Sequence, residues 1–288
     1  MLGATMLSFS PVFVKLTDTK PEVSAFYRVL FGASILFVCV LLQRRRISLA
    51  NHLSPILIAT GFLFALDLAC WHASINLVGP GLSTLLANFQ VIVLTLIGLI
   101  FLKEKSIGLR LISVPVALIG LSLILGAGDS GDQKYLSGII FGLLAAVFYA
   151  LYIICLKRAR VSSKYKAGVY EELTIVCFIA SVALAIYMLA VGTSFVIARQ
   201  DLPWLFLNGL VPQTIGWILI ASSLPHLPTS RVAILLLLQP VLSYVWDIAI
   251  FNRIIFPQEV LGASLALIAI YIGGINTEST RTLTKNDN

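Results

Sequence analysis

Long apolar runs follow one another along this chain, separated by short polar breaks. A helix that crosses a bilayer needs about 20 mostly apolar residues. By that measure the pattern predicts ten spans: Leu2–Thr17, Val23–Leu42, Leu53–Leu77, Leu82–Leu102, Ile107–Gly126, Leu136–Leu156, Gly168–Val191, Leu202–Leu224, Val232–Phe251 and Val260–Ile275. The links are mostly short, so sequence neighbours should pack as antiparallel helices.

One plan occurs twice. Ala73-Ser74 precedes a Gly-Pro-Gly break at 79–81, an apolar span, the polar knuckle Lys103-Glu104-Lys105 and a further span. Ala221-Ser222 precedes a Pro-rich break (Pro225, Pro228), a span, the knuckle Asn252-Arg253 and a last span. Gln90 and Gln239 take matching places in the two copies. Gly3 to Lys15 echoes Gly142 to Lys157, and Phe26-Tyr27-Arg28 echoes Val169-Tyr170-Glu171. The polar stretch Ala127–Lys134 is the natural seam, with Gly and Asp favouring turns. Five spans precede it and five follow, so the second copy enters the membrane from the other side. The expected fold is an all-α polytopic membrane protein of ten transmembrane helices as two inverted five-helix repeats, a recurrent plan of secondary transporters. Residues 1–126 form the first repeat, 127–135 the inter-repeat loop, 136–276 the second repeat and 277–288 a cytoplasmic tail.

Composition agrees. The chain is 59% hydrophobic and 11% charged, with a mean hydropathy of +0.98, against about 45–50% apolar and about 25% charged in soluble domains. The formal net charge of +7 does not indicate a nucleic-acid partner, because Lys and Arg sit in clusters between apolar runs. With the N-terminus inside, the inner links receive 14 basic residues (Arg44–Arg46, Lys103, Lys105, Arg110, Lys157, Arg158, Arg160, Lys164, Lys166, Arg231, Arg281, Lys285) and the outer links four (Lys20, Lys134, Arg199, Arg253). That asymmetry places both termini in the cytoplasm. The first run lacks a basic n-region and a small-residue cleavage site, so it reads as a retained span. The four cysteines lie inside apolar runs with no metal spacing and read as small hydrophobes.

These residues resemble the drug/metabolite transporter superfamily, in particular its EamA-type members. The likeness rests on Lys15 ending the first span, Arg28 early in the second, Ala73 at the end of the third, and polar or Pro positions in the fourth and ninth (Gln90; Gln239-Pro240). The knuckle Leu102-Lys103-Glu104-Lys105 completes it; Asn252-Arg253 departs from the family's usual Gly-Glu. The resemblance covers residues 1–276. It implies a ten-helix fold of two inverted repeats, small metabolites as substrates (often amino acids or related compounds, frequently moved outward), and a cavity between the halves that opens to one side at a time.

The candidate chemistry lies in polar groups within spans, where a charge is costly and usually faces an interior or an aqueous cavity. Arg28 is a candidate contact for a substrate carboxylate, or half of a structural pair. Asp67 and Trp71, at i and i+4, share a helix face and would suit a cationic or amphipathic metabolite. Asp67 could also carry a coupling proton or cation, with His72 as a second coupling candidate. Five residues at about 100° each leave Asp67 and His72 about 140° apart. Asn88, Gln90 and Gln239 are polar at mid-depth, and Gln213 and Trp217 are cavity-wall candidates; for all of these, interhelical packing is the plainer role. Glu171 and Glu172 suit a helix start. Mid-span Pro11, Pro115, Pro212 and Pro240 should bend helices, and Gly138 with Gly142 forms a GxxxG packing face.

Phosphate-loop, HExxH and GxSxG motifs are all missing from the sequence, so neither ATP drive nor an enzyme's engine is visible. No cofactor and no metal are expected. The sequence therefore points to a secondary transporter of a small-molecule substrate in the inner membrane, acting as exporter or exchanger, with import as the competing direction. A lipid-modifying enzyme and a non-transporting scaffold are the alternatives from other classes. The expected partners are the substrate and the lipid bilayer, with a homodimer left open.

Overall fold

A computed structural model of the chain describes residues 1–43, 54–100, 108–125, 133–161, 168–251 and 257–274. Among them every regular element is helical. Six stretches are long and apolar enough to cross a membrane: Pro21–Leu42, Pro55–Val78, Lys134–Val161, Val169–Ala190, Leu202–His226 and Thr229–Phe251. Leu2–Lys15, Leu86–Gly98 and Val260–Ala269 are shorter apolar helices. Both knuckles, residues 127–132 of the seam and the tail lie outside the described residues.

In chain order the helices are α1 (Leu2–Leu7), α2 (Ser10–Lys15), α3 (Pro21–Leu42), α4 (Pro55–Asn88), α5 (Gln90–Ile100), α6 (Gly108–Leu125) and α7 (Gln133–Val161). There follow α8 (Val169–Ala190), α9 (Leu202–Asn208), a π segment (Gly209–Gly216), α10 (Trp217–Ser223), a 3₁₀ turn (Leu224–His226), α11 (Thr229–Leu236), α12 (Leu238–Phe251) and α13 (Pro257–Gly274). Starts are marked as expected: Pro21 and Pro55 occupy the first helical position, where a missing N–H costs nothing. Ser54 Oγ accepts from the Leu57 amide at 3.3 Å.

Three of the breaks inside spans have a common cause. Proline cannot donate to the carbonyl four residues before it. The carbonyl that Pro11 leaves unpaired is that of Leu7, where α1 ends; Pro212 leaves Asn208, where α9 gives way to the π segment; Pro240 leaves Leu236, where α11 ends. Inside the π segment Thr214 Oγ1 donates to the Gly209 carbonyl at 2.8 Å, five residues back. The break at Phe89 has no proline. There Asn88 Nδ2 takes the Thr84 carbonyl at 2.7 Å, a side-chain bond that competes with the helix ladder.

The Gly-Pro-Gly break is a corner with helical turns on both sides. Helical geometry runs through it within α4, yet the Ser74 and Ser83 hydroxyls meet at 2.9 Å. Nine residues of straight helix would separate them by about 13.5 Å, so the axis folds back sharply between them. Ser74 Oγ also donates to the Gly138 carbonyl of α7 at 2.8 Å. The expected GxxxG face does its packing here: a Cβ on Gly142 would stand 2.7 Å from Leu86 Cβ and 3.0 Å from Ser74 Oγ, one on each arm of the corner.

The most extensive helix contacts cross the seam. α3 lies along α8 and the π segment, α4 along α7 and α8, α6 along α13, α5 against α11, and α1 against the π segment. The surface is apolar, with Leu42, Ile112, Phe178, Ile186 and Leu189 each more than half exposed, while Arg28, Asp67, Gln90, Glu172 and Gln213 are buried. That inversion suits a bilayer, where lipid is as apolar as Leu and polar groups gather inside.

Candidate functional site

Broken helices of both halves converge on one cavity of about 120 Å³. Leu7, Ser10 and Pro11 flank the gap between α1 and α2; Asn88 and Gln90 flank the gap at Phe89; Gln239 and Pro240 follow the gap at Leu237. Asp67 and Trp71 of α4, Tyr149 of α7 and Ser243 of α12 complete the wall. Helix breaks inside a membrane free peptide groups where they line a cavity, a feature of transporter binding sites. The gap between α1 and α2 is held open by the other half. Ser243 Oγ–H is shared between the Ser8 and Gln239 carbonyls (2.9 and 2.8 Å). Trp246 Nε1 donates to Ser8 Oγ at 2.8 Å, and its ring stacks on Phe9 with centroids 4.6 Å apart.

Asp67 is 8% exposed, and among the described residues no hydrogen bond or ion pair reaches it. The charge whose field reaches it is that of Arg28. Arg28 itself stands behind the wall. Its Nε donates to Gln213 Oε1 at 2.9 Å and its Nη1 to Ser10 Oγ at 3.2 Å. Gln213 Nε2 in turn donates to Cys177 Sγ at 3.2 Å, and Ser10 Oγ donates to Asn208 Oδ1 at 2.9 Å. This network ties α2, α3, α8, α9 and the π segment, and touches the cavity through Ser10.

Of the residues singled out in the sequence, Asp67, Trp71, Asn88, Gln90 and Gln239 line this cavity together. Arg28 and Gln213 belong to the network beside it. Trp217 is 1% exposed and packs in an aromatic cluster with Phe64, Tyr149 and Tyr152, at centroid distances of 5.8, 6.1 and 4.8 Å. His72 turns away from the wall, as the helical rotation required: its Nδ1 donates to the Leu68 carbonyl, and its ring meets Trp71 edge-on at 4.9 Å.

Tyr149 was not anticipated. It lies beside the Gln239 side chain, and among the described residues Gln239 Nε2 is buried without a partner. The signal was present in the repeat. Tyr149 stands eight residues before Lys157, as Leu7 stands eight before Lys15, and both line the cavity. Gln90 Oε1 is likewise buried without a partner.

Away from the cavity both ends are tied. At the end that holds Met1, Arg160 Nη1 pairs with Glu172 at 3.0 Å, Arg160 Nε donates to the Ala221 carbonyl at 3.3 Å, and Lys157 Nζ donates to Leu227 O and Thr229 Oγ1 at 2.7 and 3.0 Å. At the other end, Tyr27 Oη donates to the Phe195 carbonyl at 2.7 Å and Thr193 Oγ1 to Glu22 at 3.1 Å. Among the described residues no three His, Cys, Asp or Glu side chains converge as metal ligands would.

Comparison with known proteins places this architecture. The family model of the EamA-like transporter family matches residues 1–126 and again 136–274. An uncharacterized transporter of Clostridium kluyveri is 28% identical over 183 residues, 60% of this chain and 55% of that protein; the match thus spans about half the relative's length. A protein of known crystal structure superposes with a TM-score of 0.82 over 98% of this chain and 96% of that one. Its 15% identity makes that a likeness of fold alone. With nearly its whole length matched in two segments, the chain belongs to the EamA-like transporter family.

Proposed function

We propose that the protein is a secondary transporter that moves a small organic metabolite, an amino acid or a related compound, across the inner membrane by alternating access, as an exporter or exchanger. The observation that carries this reading is the cavity itself, walled by three interrupted spans and holding a carboxylate, Asp67, that no group among the described residues satisfies. A buried unpaired charge is expensive, and its retention is explained if a ligand or coupling ion occupies the site.

Counting α1 and α2 as the first span, the more extensive seam-crossing contacts pair span one with eight, two with seven and eight, three with six and seven, four with nine and five with ten. An exchange of each span with the one five places on carries that set of pairs onto itself. This supports two inverted repeats, 1–126 and 136–276, that rock about the cavity, with both termini in the cytoplasm. Asp67 takes the coupling proton or cation, and Trp71, Asn88, Gln90 and Gln239 contact the substrate.

The test is flux in proteoliposomes with the purified chain, using amino acids and related metabolites as solutes. Asp67→Asn and Gln90→Ala, inserted as well as wild type, should each slow exchange about tenfold or more, equivalent to ~1.4 kcal/mol. Wild-type rates in both variants would overturn the reading.

A further inference from the structure

The charge inventory of the cavity narrows the class of substrate, granted that the cavity is the transport site. Among its lining residues there is one ionisable acid, Asp67, and no Lys, Arg or His. The nearby cation, Arg28, has two of its donors fixed by Gln213 and Ser10 and sits outside the wall. An anionic ligand would therefore bring a second negative charge beside Asp67 with no cation in the wall to contact it. Like charges in a low-dielectric site repel strongly. An ammonium group would meet the opposite situation: a carboxylate without a partner, and two aromatic faces, Trp71 and Tyr149, suited to a cation.

Two further groups define the rest of the ligand. Gln90 is 2% exposed and its Oε1 has no partner, so it offers a second acceptor. Among the described residues Gln239 Nε2 is a buried donor without an acceptor. Buried polar groups are normally satisfied, and two orphans on one wall ask for a ligand with complementary atoms. The volume limits its size. A cavity of about 120 Å³ is comparable with the ~150 Å³ engineered cavity that takes benzene.

We infer that the cavity takes a small organic monocation, an amine of about five to eight heavy atoms carrying one neutral hydrogen-bond acceptor, with the ammonium on Asp67 and Gln90 Oε1 and the acceptor on Gln239 Nε2. This inference rests on the transport reading and specifies the substrate that reading leaves open. It sets free amino acids below amino alcohols and amino amides, because an amino acid's carboxylate would find neutral donors only.

Three near-isosteric probes test it on the full chain in detergent: 4-amino-1-butanol, 1,4-butanediol and 4-hydroxybutyrate. Isothermal titration should show binding of the amine, with the diol and the carboxylate at least about tenfold weaker, a gap of ~1.4 kcal/mol. Asp67→Asn should abolish the preference for the amine, and Asp67→Glu should restore part of it. Gln90→Ala keeps the carboxylate and should weaken the amine severalfold, which keeps the test readable if Asp67→Asn does not fold. Equal binding of the three probes, no binding of the amine, or an Asp67→Asn protein that keeps the amine preference would overturn the inference. Flux separates the two levels. Proteoliposomes that exchange a neutral or anionic solute, indifferent to Asp67→Asn, would sink the cationic substrate and leave transport standing. Selective, Asp67-dependent binding of the amine with no flux would sink transport and leave the cation site standing.

Discussion

Arg28 and Gln213 are 185 residues apart in sequence, yet the guanidinium Nε donates to Gln213 Oε1 at 2.9 Å with both side chains buried. The bond joins the second span of the first half to the π segment of the second. Its acceptor is aimed by the irregular backbone that Pro212 imposes, and Gly32 leaves room for it: a Cβ there would stand 2.5 Å from Gln213 Cγ.

Arg28→Lys should keep the charge but lose the planar fork that reaches Gln213 and Ser10 at once. We expect a loss of about 1.5–3 kcal/mol, the worth of a hydrogen bond to a charged group, read as a lower melting temperature in detergent. Arg28→Ala should lower it further, because Gln213 Oε1 is then left buried without a donor. A melting temperature unchanged in Arg28→Ala would show that the network adds nothing to stability.

Arg160 and Glu172 should behave as a coupled pair. Glu172 is 1% exposed and Arg160 18%, so Arg160→Gln removes the cation from a buried carboxylate that keeps its other contact, at a loss below the about 3–5 kcal/mol of a fully stranded charge. The double variant Arg160→Gln/Glu172→Gln should recover much of that loss in a double-mutant cycle. Simple additivity of the two single changes would mean that the pair is not energetically coupled.

Gly120 tests packing remote from the cavity. A Cβ at this position would stand 2.5 Å from the Gly262 carbonyl oxygen and 2.7 Å from the Ala266 amide nitrogen. Both are backbone atoms, so α6 and α13 must part. Gly120→Ala should cost about 1–3 kcal/mol while leaving ligand affinity in titration unchanged. A tenfold change in affinity would instead tie this helix pair to the site.

Trp217 separates core from cavity wall. Trp217→Ala should cost about 3–5 kcal/mol as a large buried side chain. Trp217→Phe should cost less than about 1.5 kcal/mol, since among the described residues the indole Nε1 has no hydrogen-bond partner to lose. If Trp217→Phe melts like wild type but abolishes flux, the residue acts on substrate and its place in the aromatic cluster is secondary.

The sequence made most of the helices readable because a bilayer demands long apolar runs and punishes interruptions. Even the interruptions follow from chemistry: the ends of α1, α9 and α11 each fall four residues before a proline. The break at Phe89 was hidden, because an Asn that takes a carbonyl of its own helix looks like any mid-span Asn. Site residues separated along the same line. Asp67, Trp71, Gln90 and Gln239 were legible as polar or aromatic groups at mid-depth. Arg28 drew attention for its charge, but its partners, Ser10 and Gln213, come from other spans and no local pattern names them. Ser243 and Tyr149 sit in the wall for reasons of three-dimensional packing, with only the repeat spacing to hint at Tyr149.

The packing of one half on the other has a consequence for how the protein is made. At roughly 5–20 residues per second, the ribosome needs about 10–40 seconds after releasing Arg28 to deliver Gln213. Once residue 126 has been made, the first five spans stand in lipid with Arg28 and Asp67 lacking their final surroundings, a nascent intermediate exposed to membrane proteases. A message cut after residue 126 should yield a short-lived fragment, and supplying residues 127–288 as a separate chain should rescue it.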